Sequence, residues 1–257
     1  MSETAYNLTV GDFNCIIFSD GRLVDKTPQG TQTYGLNCIY IEAGNRKLLV
    51  DNGCGEWFMA DTAGHLVKNM RTVGIEPEDI DTIIFDHGHI DHVCGTFDKK
   101  GKPVFPNAHY IITRKEWDYI KSPPGDNEIQ NAFYSPARRY LLPLENRFNI
   151  VESDFEVLPG LRLIPAHGHT PGNVMVDITS KGKRLLSIGD IIHSQREFTD
   201  PACLADFDVT PVEAMKTRAE ILSQLAKEGT FVFACHFTFP GLGFIRQAKD
   251  IFIWESI

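Results

Sequence analysis

Asp86-His87-Gly88-His89-Ile90-Asp91-His92 sets three imidazoles and two carboxylates within seven residues. The run follows Thr82-Ile83-Ile84-Phe85, β-branched and aromatic residues that suit a buried strand opening into a loop. Burying five such side chains is costly unless something pairs with them. A divalent metal does so, because neutral imidazole and carboxylate suit zinc, iron, manganese or cobalt. His87 and His89 are two apart, so in an extended segment they share a side and can grip one ion. Asp91 and His92 follow where the chain turns, placed to grip a second. The plain alternative is a solvated histidine-rich loop. Against it stand further histidine-bearing turns downstream: Ala166-His167-Gly168-His169-Thr170-Pro171-Gly172-Asn173, Ser187-Ile188-Gly189-Asp190-Ile191-Ile192-His193 and Cys235-His236.

The rest of the chain frames these turns. Its 257 residues suffice for a full core, and 42% hydrophobic with 23% charged residues is ordinary globular composition. A formal charge of −9 argues against a nucleic-acid backbone as the main partner. No stretch approaches a membrane span, and Met1-Ser2-Glu3-Thr4-Ala5-Tyr6-Asn7 has no signal-peptide pattern, so a cytoplasmic protein without a membrane partner is expected. Six cysteines, Cys15, Cys38, Cys54, Cys94, Cys203 and Cys235, show no CxxC pair and are read as buried free thiols. Cys94 and Cys235 neighbour candidate ligands, with packing favoured over ligation.

Strand-like runs fall at 6–18, 37–42, 47–50, 82–85, 109–113, 161–165, 173–178, 184–188 and 230–234, with a last one near 251–254. Amphipathic spacing predicts helices over 62–73, from about Arg114, and over 211–227. Residues 22–34 read as a polar loop containing Pro28, and 121–147 lack periodicity, as a lid or a packed insertion does. Each potential ligand cluster follows a predicted strand, where α/β folds place their chemistry. One domain with two sheets face to face and helices outside is the expected plan.

In this order HGHIDH (87–92), HGHTPG (167–172), GDIIH (189–193) and CHFTFPG (235–241) resemble the metallo-β-lactamase-fold hydrolase superfamily, over nearly the whole chain. The ending HFTFPGLGFI (236–245) and the opening VGDFNCIIFSDG (10–21) look most like its methyl parathion hydrolase and lactonase-like branch. The resemblance implies a four-layer αββα sandwich of two mixed sheets, one domain over 1–257, with two divalent metals at one edge. Zinc is expected, with manganese, iron and cobalt open. It implies His87, His89 and His169 on one metal, Asp91, His92 and His236 on the other, and Asp190 bridging. There are two departures. Asn173 stands where the family often has a histidine, and His193 stands where N-acyl homoserine lactonases tend to have tyrosine. His167 is left out of the ligand set, His109 is read as structural and His65 as an ordinary helix residue.

The activity this implies is hydrolysis of a small ester-like substrate by a hydroxide shared between two metals, with Asp91 and Asp190 beside it. A lactone or carboxylic ester leads, with organophosphate triesters as a secondary activity. His193 is a candidate for hydrogen bonding the substrate or protonating the leaving group, or else supports a ligand from behind. Phe133, Tyr134, Phe198, Phe237 and Phe239 are candidate apolar walls. The alternative is a persulfide dioxygenase-like enzyme of the same fold, which uses one iron and typically does without the last histidine. The partner is a small molecule, and a homodimer is left open.

Overall fold

Alternating apolar residues build the first sheet. In β1 (Ala5–Val10), β2 (Phe13–Thr27), β3 (Gly30–Ala43) and β4 (Arg46–Val50) neighbours pair antiparallel. β5 (Thr82–Ile84), β6 (His109–Thr113) and β7 (Phe148–Val151) then add in parallel. The structure, a computed structural model, describes residues 4–27, 30–56, 61–205, 207–249 and 251–257. Residues 1–3 and Pro28, used in the sequence reading, lie outside these.

The second sheet runs in the order β14-β13-β12-β11-β10-β9-β8. Its strands are β8 (Phe155–Leu158), β9 (Leu161–Pro165), β10 (Val174–Ser180), β11 (Lys183–Ser187), β12 (Phe231–Phe233), β13 (Leu242–Ala248) and β14 (Ile251–Ser256). Only β11 and β12 pair in parallel in this sheet. One core cluster takes Ile17, Ile39, Val50 and Ile84 from the first sheet and Leu163, Val176, Leu185 and Phe233 from the second, so the sheets are stacked face to face. Each fully buried aliphatic side chain there contributes about 1.5–3 kcal/mol.

Helices cover both outer faces. α1 (Leu66–Arg71), α3 (Arg114–Lys121) and α4 (Glu128–Pro136) bring Leu66, Met70, Trp117, Ile120 and Tyr134 to the first sheet. α6 (Pro211–Glu228) brings Leu222 and Leu225 to the second, and α5 (Gln195–Thr199) brings Phe198. The expected αββα sandwich is the observed one. α2 (Ile90–Val93) is a single turn inside the histidine run.

Three local expectations need correction. The stretch 22–34 is mostly strand: β2 and β3 continue as a long two-stranded arm, with a register shift between Ser19 and Gly21 in place of a chain reversal. Polar side chains hid it, because the arm stands outside the packed core. The helix expected over 62–73 is confined to α1, because Gly64 takes φ +81° just before it. Asp20 is fully buried and accepts the backbone N–H groups of Cys54 (2.8 Å) and Leu66 (2.8 Å), fixing where α1 starts. Finally, 121–147 is largely helical: α4 is followed by π-helical 137–141 and 3₁₀-helical 142–147.

Candidate metal centre

Parallel pairing puts the C-terminal ends of β4 and β5 at one edge of the first sheet, and those of β11 and β12 at one edge of the second. Asp51 follows β4, His87–His92 follow β5, Asp190 follows β11 and His236 follows β12. The β9–β10 turn adds His169. Val174 N–H donates to the Asp86 carbonyl at 3.1 Å, tying this turn to the first sheet.

Two tight four-residue donor groups result, beside a smaller one of Asp86, His87 and His92. One is His87, His89, His169 and Asp190; the other is His92, Asp190, Cys235 and His236, each with ligand atoms within 4.8 Å of one another. Asp190 lies in both. Its Oδ2 is 3.0 Å from His236 Nε2, 3.1 Å from His193 Nε2 and 3.4 Å from His169 Nε2, while Oδ1 is 3.2 Å from His92 Nε2. Asp91 stands at the rim, its Oδ2 3.8 Å from His236 Nε2 and 3.9 Å from His92 Nε2. The sequence reading had Asp91 in the second group. The tightest second group instead contains Cys235, whose thiol donates to Asp190 Oδ1 at 3.3 Å.

What aims the rings is a row of acceptors behind them. His87 Nδ1 faces Asp86 Oδ1 at 2.8 Å, His92 Nδ1 faces Asp51 Oδ2 at 2.9 Å and His169 Nδ1 faces Asp208 Oδ1 at 2.9 Å. His236 Nδ1 faces the Gly35 carbonyl at 3.1 Å. These oxygens accept, so Nδ1 carries the hydrogen and the Nε2 lone pair points into the centre. His89 is turned the other way, with Nδ1 3.0 Å from His169 Nε2. Asp51 reaches His92 because its backbone is left-handed (φ +61°), a region aspartate tolerates better than most residues.

The electrostatics call for cations. Among the described residues, the ion pairs of Asp51, Asp86, Asp91 and Asp190 are all with histidines. Burial opposes the charged forms. Even so, His236 and His92 hold the Asp190 carboxyl well below the usual range, and Asp190 with Asp86 and Asp51 pushes His92 well up. Burial, with Asp86 next to it, raises Asp51 to about 7. Burial takes His89 well down and His169 down to about 4, the neutral state a ligand needs. The Nε2 atoms of His87, His89 and His92 are buried without a hydrogen-bond partner. Buried polar atoms are seldom left so. Convergent imidazoles, buried carboxylates and orphaned ring nitrogens fit two divalent cations, of which zinc suits the N/O donor set.

A cavity of ≈ 350 Å³ opens onto the centre. Its floor is His89, Asp91, His169, Asp190, His193 and His236. Its walls are Leu23, Val24, Asp25 and Tyr34 from the β2–β3 arm, Ile90, Phe133 of α4, and Phe207. Of the five aromatics expected as walls only Phe133 lines it. Tyr134 is buried behind His89, Phe198 and Phe237 pack with Trp254, and Phe239 packs against the inter-sheet core. His193 reaches the cavity, 4.4 Å ring to ring from Phe207. The His167 carbonyl accepts from Thr217 Oγ1 at 2.7 Å. His65 is half-buried and His109 exposed. All six cysteines are free and buried, as expected.

Sequence reasoning counted Asp86 among the metal-capable residues, where it backs His87 instead, and missed the rest of the supporting shell: Asp51, Asp208, Glu197, Arg218 and Glu116. Glu116 is fully buried and takes four hydrogen bonds. Oε1 accepts from Gly88 N–H (2.8 Å) and Tyr134 O–H (2.6 Å), and Oε2 from Thr170 O–H (2.7 Å) and Gly172 N–H (3.0 Å). It thus joins the His89 loop to the His169 loop. Arg218 carried a legible signal, a charge in register with Ala214 and Leu222 on the apolar side of α6.

The Metallo-beta-lactamase superfamily model matches residues 33–236. An N-acyl homoserine lactonase of Bacillus thuringiensis is 29% identical over 173 residues, 66% of this chain. The match spans 61% of that relative's length. Among solved structures, AidC, a dizinc quorum-quenching lactonase in complex with a product, superposes with a TM-score of 0.92 at 24% identity, covering 99% of this chain and 97% of its own. The hydrolase AbOPH superposes with a TM-score of 0.90 at 25% identity, covering 100% and 98%.

Proposed function

Since the chain belongs to the metallo-β-lactamase superfamily, we propose that it is a dinuclear metal-dependent hydrolase of a neutral, ester-like substrate, foremost a lactone with an apolar substituent. The observation that carries this is the set of back-bonded histidines aiming their Nε2 atoms at Asp190 on the floor of a largely apolar cavity. His87, His89 and His169 would hold one ion, Asp91, His92 and His236 the other, with Asp190 between them. Zinc is the proposed metal. When bound, the two cations supply Lewis acidity, lowering the pKa of a shared water and polarising the substrate carbonyl.

The chain's own residues do the rest. Asp91, at the cavity floor, orients the attacking water and accepts its proton at Oδ2. His193 lies at the cavity floor with Nε2 3.1 Å from Asp190 Oδ2, and its Nε2–H would pass to the leaving oxygen. Burial works against a charged His193, but Glu197 and Asp190 outweigh it and lift its pKa to about 10, which keeps that proton available. Leu23, Val24, Ile90, Phe133 and Phe207 exclude water and hold the apolar part. Among the described residues no lysine or arginine lines the cavity.

The lactonase names and the dizinc neighbour support the two-ion reading. So does the placement of His236, which a one-iron dioxygenase would not use. The core shared between the sheets supports a single domain over 1–257. No helix among the described residues is long and apolar enough to cross a membrane.

The test is a pH-indicator hydrolysis panel on metal-replete protein: lactones of increasing acyl length, an aryl ester, a phosphotriester and a β-lactam. Asp190→Ala serves as the blank. Lactone turnover that rises with acyl length and vanishes in the blank is expected. Turnover of the phosphotriester alone, or one iron per chain with no hydrolysis, overturns the reading. His193→Ala is expected to lower turnover by about 10²–10⁴-fold with metal content unchanged; unchanged turnover removes His193 from the mechanism.

A further inference from the structure

The second sheet's longest helix contributes no residue to the cavity, yet one of its side chains reaches both sides of the centre. Arg218 on α6 is 1% exposed. A guanidinium does not give up its proton, so burying it demands acceptors on every side. It has them: Nε donates to the Ile191 carbonyl (2.9 Å) and Nη1 to the Cys203 carbonyl (2.9 Å). Nη2 lies 3.0 Å from Glu197 Oε1 and 3.4 Å from Asp208 Oδ2.

Those two carboxylates are buried as well, and each backs a histidine. Asp208 Oδ1 meets His169 Nδ1 at 2.9 Å. Glu197 Oε1 lies 3.4 Å from His193 Nδ1, and Oε2 accepts the backbone N–H groups of His193 (2.6 Å) and Ser194 (2.8 Å). The chain His169–Asp208–Arg218–Glu197–His193 is therefore continuous, and both ends return to Asp190 Oδ2, at 3.4 and 3.1 Å. Without the guanidinium two buried anions would face each other unscreened, and each would swing away from its ring.

We propose that Arg218 is a positioning residue which sets, through Asp208 and Glu197 together, the ring orientation of His169 and His193 and the tautomer of His169, so that ion affinity and leaving-group protonation depend on one buried guanidinium. The roles of the two histidines rest on the function proposed above; the ring orientations and the tautomer do not. Lysine cannot replace it, since one ammonium cannot serve acceptors on four residues in a planar fork.

The test compares wild type with Arg218→Lys, Arg218→Met, Asp208→Asn and Glu197→Gln. Side-chain ¹⁵N NMR of the metal-stripped full chain reports both ring signals, and with them the tautomer of His169. Chelator competition with zinc reports both affinities, and kcat and KM are read on the best lactone. Asp208→Asn is expected to weaken one zinc equivalent by about 10–100-fold. Glu197→Gln is expected to leave both equivalents bound and to lower kcat at constant KM. Arg218→Lys is expected to do both and to shift both ring signals. Wild-type ring signals and affinities in a folded Arg218→Lys overturn the proposal. If neither Arg218 variant folds, the double variant Asp208→Asn/Glu197→Gln decides: strictly additive effects on kcat and on the ring signals overturn it, and non-additive ones support it. Should the wild type hydrolyse no lactone, the function proposed above fails, and the ring signals still test Arg218.

Discussion

Replacing Glu116 by glutamine keeps its shape and removes one thing, the second accepting oxygen. Both Glu116 oxygens accept two hydrogen bonds, one from a backbone N–H and one from a hydroxyl. A glutamine amide can face only one of these pairs with oxygen. Whichever way it turns, its NH₂ meets a backbone N–H, of Gly88 or of Gly172, which cannot turn into an acceptor. The partnering hydroxyl, Tyr134 or Thr170, can rotate. The buried orphan N–H costs about 1–3 kcal/mol, and loss of charge assistance on the remaining bonds adds about 1 kcal/mol. Two effects act the other way or along: a buried charge without an ion pair is removed, and a favourable placement is lost, since Glu116 sits in the first turn of α3 at its positive end. The net expectation is a loss of about 2–4 kcal/mol, read as a lower urea midpoint at unchanged slope. Zinc affinity should fall with it, because Gly88 adjoins His89 and Thr170 adjoins His169. Tyr134→Phe, which removes one donor and leaves no orphan N–H, should cost clearly less. A glutamine variant within 0.5 kcal/mol of wild type would refute the reasoning, because it would mean the orphaned N–H finds water or another acceptor.

Gly168→Ala should cost at least about 3 kcal/mol and release zinc, since the position has φ +128° and its Cβ would lie 2.2 Å from Ala214 N; near-native melting with full metal content would contradict this. Chelating the metals should lower stability by about 4 kcal/mol if they are present at a thousandfold over their Kd, because carboxylates left facing one another lose their cations; an unchanged urea midpoint counts against the two-ion centre. The buried thiols should resist alkylation in the folded protein at pH 8 and all six should react in denaturant. Burial pushes Cys15 and Cys94 up to about 12. A folded pKa above the unfolded one means that stability is intact below about pH 9 and falls as pH rises towards 12, by up to about 1.4 kcal/mol per unit for each thiol. A Cys15→Ala variant should show a shallower alkaline decline, and an identical decline would disprove the assignment.

Why some of this was readable beforehand is a matter of how many residues report one feature. His87, His89 and His92 announce themselves because three imidazoles in six residues have few other uses, and α6 because Ala214, Leu222 and Leu225 repeat at helical spacing. Asp208 and Glu197 are single acids in irregular or short segments, and nothing local separates a carboxylate that backs a histidine from one that faces water. The arm escaped notice because neither Arg22–Asp25 nor residues 30–35 of its partner strand include a buried residue to impose alternation. α4 escaped because Ser122-Pro123-Pro124-Gly125 precedes it and Pro136 ends it, leaving too few turns for a period to show.

That arm has a consequence for how such a protein can change over generations. Its base is fastened to the centre: Gly35 N–H donates to the His236 carbonyl at 2.8 Å, and the Gly35 carbonyl accepts from His236 Nδ1. A side chain at Gly35 has no room, as its Cβ would sit 2.0 Å from the Phe237 carbonyl oxygen. Further out, Leu23 and Val24 line the cavity, Leu23 also packing on Leu36, Cys54 and Ala63, and the two strands stay paired as far as Thr27–Gly30. Selection for a new substituent can therefore act on length and bulk at the arm's far end while the base stays frozen. Diet, in such a lineage, is decoupled from chemistry.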